Sequence, residues 1–257
     1  MKPSISIILN CYNGSEYLEE CLKSIKKQTY NNYELIFWDN CSTDNSKEIF
    51  KKNYDQRFRY FKSRKNTILS KARNLASKKA KGSWLAFIDC DDIWYPNKLD
   101  EFKNFLNKNK LGVLFSDYYI LKKKQLIKSK KKIKSNYFKN LLKENYIYFS
   151  TVLIKKKYFF ELGMCDDTLK HAEDYDILLK ILNKYDGHFI DKRLIKYRIH
   201  DNNQSKHNKI ESIKESIYLL MQYKKNLYAI LGIIKMFLIF LIHFIKLEFK
   251  KLKVFIK

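Results

Sequence analysis

The stretch Lys81-Gly-Ser-Trp-Leu-Ala-Phe-Ile-Asp-Cys-Asp-Asp92 decides the fold. From Ser83 to Ile88 it is almost wholly apolar, as a strand buried on both faces must be, and it then runs directly into Asp89, Asp91 and Asp92. A strand covered on both sides belongs to a sheet flanked by helices, and the preceding chain supplies those units. Ser4 to Leu9 is a β-branched apolar run, and Tyr17 to Ile25 places Tyr17, Leu18, Cys21, Leu22 and Ile25 at helical spacing. Tyr33 to Trp38 is a second strand, followed by the turn and N-cap chemistry of Asp39-Asn-Cys-Ser-Thr-Asp44. A third strand at Phe58 to Phe61 and a helix from Ser70 to Ala80 complete the series, with Gly82 suited to the left-handed position after the helix. Alternating strands and helices predict an α/β fold with a mostly parallel sheet, helices on both faces and right-handed crossovers. Ligands of such sheets sit beyond the carboxyl ends of the strands, where Asp39 and the Asp89–Asp92 cluster fall.

The 257 residues include 52 Lys+Arg against 27 Asp+Glu, a formal charge of +25, together with 19 Tyr and 18 Phe. That apolar content can build a core and excludes a disordered polycation, and six Gly with two Pro exclude collagen-like and linker architectures. The length fits one medium domain with an appendage, or at most two domains. The cysteines (Cys11, Cys21, Cys41, Cys90, Cys165) form no CxxC pair or Cys/His ligand set, which disfavours a zinc ribbon or disulfide scaffold and points to a reducing cytoplasm. Ile5 to Leu9 is too short for a secretory signal. Lys outnumbers Arg 46 to 6 in a chain rich in Asn, Ile and Tyr, so AT-rich coding bias explains the charge before nucleic acid does. Its distribution says more. Thirteen Lys face one Glu across residues 122–157, whereas 158–205 is net acidic.

Beyond Asp92, Pro96 opens a helix over Asn97 to Asn107, and Leu111 to Leu121 is strand-like. The Lys-rich 122–134 is expected as an exposed loop or hairpin tip, Phe149 to Ile154 as a buried strand, and His171 to Tyr185 as a helix. Leu227 to Ile245 is apolar except for Lys235 and His243. Lys224, Lys235, Lys246 and Lys257 recur every eleven residues and share one helical face, joined by Lys250 and Lys253. A basic stripe on an apolar helix is the pattern of a helix lying in the headgroup layer of an anionic membrane. A true span, or packing onto the domain or a second copy in a homodimer, are the alternatives.

Three carboxylates at one strand end repel each other unless a cation is shared. Hard divalent ions take carboxylate oxygens and keep positions open for phosphate, so the cluster suits Mn2+ or Mg2+ bridged to a diphosphate. The alternative is a solvated acidic turn ahead of the Pro96 helix.

An ordered set of blocks spans residues 4–205: Ser4-Ile-Ser-Ile-Ile-Leu-Asn-Cys-Tyr-Asn13, Tyr17-Leu-Glu-Glu-Cys-Leu-Lys-Ser-Ile25, Tyr33-Glu-Leu-Ile-Phe-Trp-Asp-Asn-Cys-Ser-Thr-Asp44, Lys71-Ala-Arg-Asn-Leu75, the Lys81–Asp92 stretch with Pro96, Ala172-Glu-Asp-Tyr-Asp176 and Tyr197-Arg-Ile-His200. This set resembles the family 2 inverting glycosyltransferases of the GT-A fold, of bacterial cell-surface glycan type. The resemblance implies a Rossmann-like GT-A catalytic domain over 1–205, with a nucleotide-binding half (1–95) and an acceptor-binding half (96–205), then a membrane-associating helical tail (206–257). It implies that Asn10, Tyr12, Asp39 and Asn40 hold base and ribose, that Arg73 approaches the donor, and that Asp89 meets ribose and sugar. Asn40 stands where many members carry a second Asp. Asp91, with Asp92 and His200, falls on the metal side. Asp174 falls on the general base and Glu173 and His171 beside it. Trp94 falls near the sugar pocket, with packing as its other reading.

The implied reaction moves one sugar from a nucleoside-diphosphate sugar, UDP foremost, to a hydroxyl of a glycan or lipid-linked acceptor. The QxxRW block of processive synthases is absent, which favours single-sugar transfer. Missing P-loop, GxGxxG, HExxH and GxSxG patterns disfavour the corresponding enzyme classes. A sugar nucleotidyltransferase or inactive scaffold on the same fold is the rival, and a basic nucleic-acid-binding protein the remote one. The expected location is cytoplasmic, peripheral or monotopic on the inner face of the membrane, with no nucleic-acid partner.

Overall fold

The computed structural model describes residues 3–129, 135–203 and 208–255. The first half alternates as the sequence demands: β1 (Ile5–Cys11), α1 (Ser15–Lys26), β2 (Tyr33–Asp39), α2 (Ser46–Lys52), β3 (Phe58–Lys62), α3 (Leu69–Ser77) and β4 (Trp84–Asp89). These strands pair in parallel in the order β3-β2-β1-β4. Every residue of β2 is buried, which is why the run reads as continuously apolar rather than alternating. The winding direction reverses between β1 and β4, so the crevice at their carboxyl ends is the switch point where such sheets take ligands. Asn10 and Asp89 face each other there in register.

The second half comprises β5 (Ile93–Trp94), α4 (Lys98–Lys103), β6 (Leu111–Lys122), β7 (Gln125–Lys128), α5 (Tyr137–Lys143), a 3-10 turn (Phe149–Thr151), β8 (Leu153–Lys155), α6 (Lys156–Glu161), α7 (Glu173–Lys184), β9 (Asp186–Ile199), α8 (Lys209–Met221) and α9 (Leu227–Phe255). Here antiparallel pairs join the mostly parallel sheet. Strand β8 enters antiparallel between β4 and β6, while β9 lies parallel to β6 and antiparallel to β5, giving a mixed nine-stranded sheet. The β6–β7 pair is antiparallel because so short a connection can join only antiparallel neighbours. Lys123 and Lys124, both at positive φ, close the β6–β7 hairpin in two residues. The expected Lys-rich loop is thus a hairpin as far as Lys128, and residues 130–134 lie outside the described residues. The expected strand from Phe149 begins instead as a turn, since Thr151 bonds back to the Tyr148 carbonyl through both N–H and Oγ1.

Gly82 is required for a different reason from the expected one. Gly163 is the glycine with positive φ among the described residues. At Gly82 a Cβ would lie 2.7 Å from the Ile5 carbonyl carbon and the Ser6 nitrogen, so glycine permits close approach to β1. Gly82→Ala is expected to cost ~1–3 kcal/mol, as overpacking does, seen as a lower denaturant midpoint at constant m. An unchanged midpoint would contradict this.

Helix α9 seats Ala229 and Gly232 against the body of the protein, with Gly232 over the Leu142 carbonyl of α5 and Leu220 of α8. Lys235 pairs with Glu144 just past α5. Leu231, Ile234, Phe237, Leu238, Leu241 and Ile242 on its other sides are exposed.

Candidate active site

The carboxyl ends of β1 and β4, the 3-10 turn, the start of α7 and the end of β9 enclose a cleft of about 750 Å³. Asn10, Tyr12, Asn40, Arg73, Asp89, Asp91, His171, Glu173, Asp174 and His200 all line it. Residues 89 and 173, far apart in sequence, are linked across it by one buried side chain. Arg73 of α3 gives Nη2 to Asp89 Oδ1 at 2.9 Å and Nη1 to Glu173 Oε1 at 2.6 Å, and lies 4.6 Å over the Phe149 ring. Burial works against its charge, but Asp89 and Glu173 outweigh burial and hold Arg73 protonated. Arg73 is therefore a strut between the two walls.

On one wall, Asp91 Oδ2 meets His200 Nε2 at 2.8 Å and Asn203 Nδ2 at 3.2 Å. The His200 ring rests on Tyr17 at a centroid distance of 4.8 Å, and its Nδ1 is buried without a partner among the described residues. Burial, then the neighbouring Asp89, pushes the Asp91 carboxyl up against the pull of His200. On the other wall, Glu173 is pushed up to about 7, burial outweighing Arg73, with Asp174 adding repulsion. Asp174 is also raised by burial, opposed by Arg73. Its Oδ1 accepts the Tyr175 N–H at 2.6 Å, so the carboxylate is fixed at the first turn of α7.

Three expected site residues do not reach the cleft. Asp39 is fully buried, accepting the Ser42 N–H at 2.7 Å and the Tyr60 hydroxyl at 2.5 Å, so it braces the turn after β2 rather than meeting a nucleotide. Asp92 is buried with Oδ1 on the Arg198 N–H, so it anchors β9 and is not placed to ligate metal. Trp94 is core, its indole N–H given to the Ser150 carbonyl. Asn40 lines the cleft, but its amide is committed: Nδ2 donates to Asn66 Oδ1 and the Thr67 carbonyl, and Oδ1 accepts from Thr67. Its direct reading of a base is corrected to holding the 66–67 loop.

Several site residues escaped sequence reading. Arg198 gives Nε to the Asp91 carbonyl at 2.8 Å, pairs with Glu20 and stacks on Tyr17, stitching β9 to the acidic loop. Ser150 Oγ accepts the Asp89 N–H, and Asn203 bonds both Asp91 and the His200 N–H. Arg198 stood inside the Tyr197–His200 block, a signal that was present. Ser150 and Asn203 gave none.

A 3-2-1-4 parallel half-sheet with carboxylates at its switch point, closed by a mixed second half, defines a domain of the GT-A type. Staphylococcus aureus TarS in complex with UDP-GlcNAc superposes with a TM-score of 0.68 over 86% of this chain and 67% of that one, at 20% identity. The mannosyltransferase PcManGT of Pyrobaculum calidifontis, in complex with GDP-Man and Mn2+, gives 0.69 over 88% and 65%, at 16% identity. The chain belongs to glycosyl transferase family 2, whose profile matches residues 6–166. An uncharacterized glycosyltransferase of Rickettsia felis is 34% identical over 79% of this chain and 35% of its own length. WfgD of Escherichia coli, a UDP-Glc:alpha-D-GlcNAc-diphosphoundecaprenol beta-1,3-glucosyltransferase, is 29% identical over 86% of this chain and 87% of its own. The chain spans from about a third to two thirds of the length of its rickettsial relatives.

Proposed function

We propose that the protein transfers one sugar from a UDP-sugar to a hydroxyl of a lipid-linked glycan, inverting the anomeric centre. The observation that carries this reading is that Asp91 with His200, and Asp174, open onto one cleft with Asp89–Arg73–Glu173 between them. Asn10 supports a donor at the β1 end, because its Nδ2 is buried there without a partner among the described residues, and Tyr12 stands exposed at the mouth to stack on a base. WfgD, named for UDP-Glc and a diphosphoundecaprenol acceptor, supports the substrate classes.

Asp91 Oδ2 and His200 Nε2 fit a divalent cation, being a hard oxygen and an imidazole on the cleft wall. Among the described residues no group of three or more His, Cys, Asp or Glu comes together that could hold a metal ion. When bound, Mn2+ or Mg2+ supplies charge neutralisation for the leaving diphosphate. Asp174 accepts the proton of the acceptor hydroxyl, which is far too weak an acid to attack otherwise. A carboxyl raised above its ordinary value is the stronger base. Glu173, held by Arg73, keeps the first turn of α7 against the donor wall. The acceptor oxygen attacks from the face opposite the diphosphate, and one displacement inverts the centre.

A donor panel with a lipid-linked acceptor tests this, reading the sugar transferred and its anomer. Inversion, with diphosphate release that needs both metal and acceptor, is expected. Retention overturns the single displacement, and nucleotidyl exchange without sugar transfer identifies the nucleotidyltransferase.

We also propose that α9 binds an anionic membrane surface at the cytoplasmic face. Leu227–Ile245 has a mean hydropathy of 2.3 with 11% of it buried, and its central Lys235 is neutralised by Glu144 on the protein side. The basic stripe expected to face the headgroups is therefore turned toward the protein at Lys235, and the outward face is left apolar. Phe237→Asp with Leu241→Asp should weaken flotation with anionic vesicles at least ~10-fold, since each side chain contributes roughly 1.5–3 kcal/mol when buried. Unchanged flotation, or dimer dissociation in its place, overturns membrane docking.

A further inference from the structure

We propose that Glu215 of α8 is a positioning residue for the general base, so that the C-terminal helical region completes the active site. The proposal rests on the reading of Asp174 as that base. Glu215 accepts three successive backbone N–H groups: Lys170 to Oε1 at 3.0 Å, and His171 and Ala172 to Oε2, both at 2.9 Å. These residues lead straight into α7, whose first two residues are Glu173 and Asp174.

Helix α7 lacks a cap of its own. Its N-cap is Ala172, which has no side-chain acceptor, and no side-chain cap bond is made there. The segment before it would present unpaired N–H groups if Glu215 were absent, at the place where the base must be held still. Bonds from N–H to an ionised carboxylate are about twice as strong as neutral ones, so one side chain fixes three residues.

Glu215 is itself held. On α8, Ile213, Ser216, Leu219 and Leu220 are buried, and α9 packs against Leu220 through Gly232. Asn208 and Ser212, before and on the same helix, line the cleft. Two other contacts constrain the loop, Ser70 Oγ on the Leu169 carbonyl and Arg73 on Glu173, but neither reaches residues 170–172. Nothing in the local sequence marks this role, because an acidic residue on an amphipathic helix ordinarily faces solvent.

The test uses the full-length protein with Glu215→Ala and Glu215→Gln, each alone and combined with Asp174→Asn, reading kcat, donor and acceptor KM, and nucleotide affinity. Glu215→Ala should lower kcat ~10–10²-fold, the range for a displaced catalytic group, while nucleotide affinity stays at the wild-type value. On the Asp174→Asn background it should cause no further loss, because the group it positions is already gone. Glu215→Gln keeps one acceptor oxygen and should fall between. If the alanine variant fails to fold, the glutamine variant decides through the same readouts. Wild-type kcat in a folded Glu215 variant beside an inactive Asp174→Asn overturns this proposal alone, as does a loss that multiplies with that of Asp174→Asn. Wild-type turnover in Asp174→Asn overturns the base reading and this proposal together.

Discussion

Asp174→Asn is expected to bind nucleotide normally and to lose at least ~10²-fold in turnover, within the range for a lost general base. The amide is isosteric, so its oxygen can still accept the Tyr175 N–H that orients the carboxylate, and α7 should start as before. What the amide lacks is a basic oxygen. The effect should fall on kcat, because Asp174 lies across the cleft from Asn10, Tyr12 and Asp89. Donor affinity by calorimetry and turnover with acceptor present check the two halves. Loss of donor affinity equal to the loss of turnover would assign Asp174 to binding.

Asp91→Ala is expected to abolish the metal response and to lower turnover ~10²–10³-fold, since a Lewis acid at the leaving group contributes several kcal/mol. The substitution removes the oxygen that meets both His200 and Asn203, leaving the imidazole its contacts with Tyr17 and Asn203. Asp92→Asn is the internal control. Its carboxylate is pushed well up by burial and by Asp91 and Asp89, and it serves the Arg198 backbone. Metal titration of activity should separate them: a flat response in Asp91→Ala, a normal one in Asp92→Asn. A normal response in Asp91→Ala would remove Asp91 from the metal.

The parallel half of the fold was legible because strands buried on both faces leave unbroken apolar runs and their helices leave a 3.6-residue period. β5 and β8 were not. They have two and three residues, and their partners, β9, β4 and β6, lie 39 to 103 residues away, beyond any local pattern. The acidic cluster was legible as a cluster but not by member. Asp91 and Asp92 are adjacent and chemically equal, and only the backbone after β4 sends one to the cleft and the other beneath β9. Asp39 and Trp94 failed for the same reason: sequence gives the neighbourhood of a side chain, and strand ends turn it inward or outward. Arg73 read as a donor contact because its two carboxylates lie 16 and 100 residues away.

Gly232 lies so close to the Leu142 carbonyl that no methyl group fits between them. A helix clamped at that point cannot swivel as a tether does. A bilayer gripping its outward side would hold the reacting cavity at a set height, and the span of sugar already built on a lipid carrier would then decide which acceptors reach it.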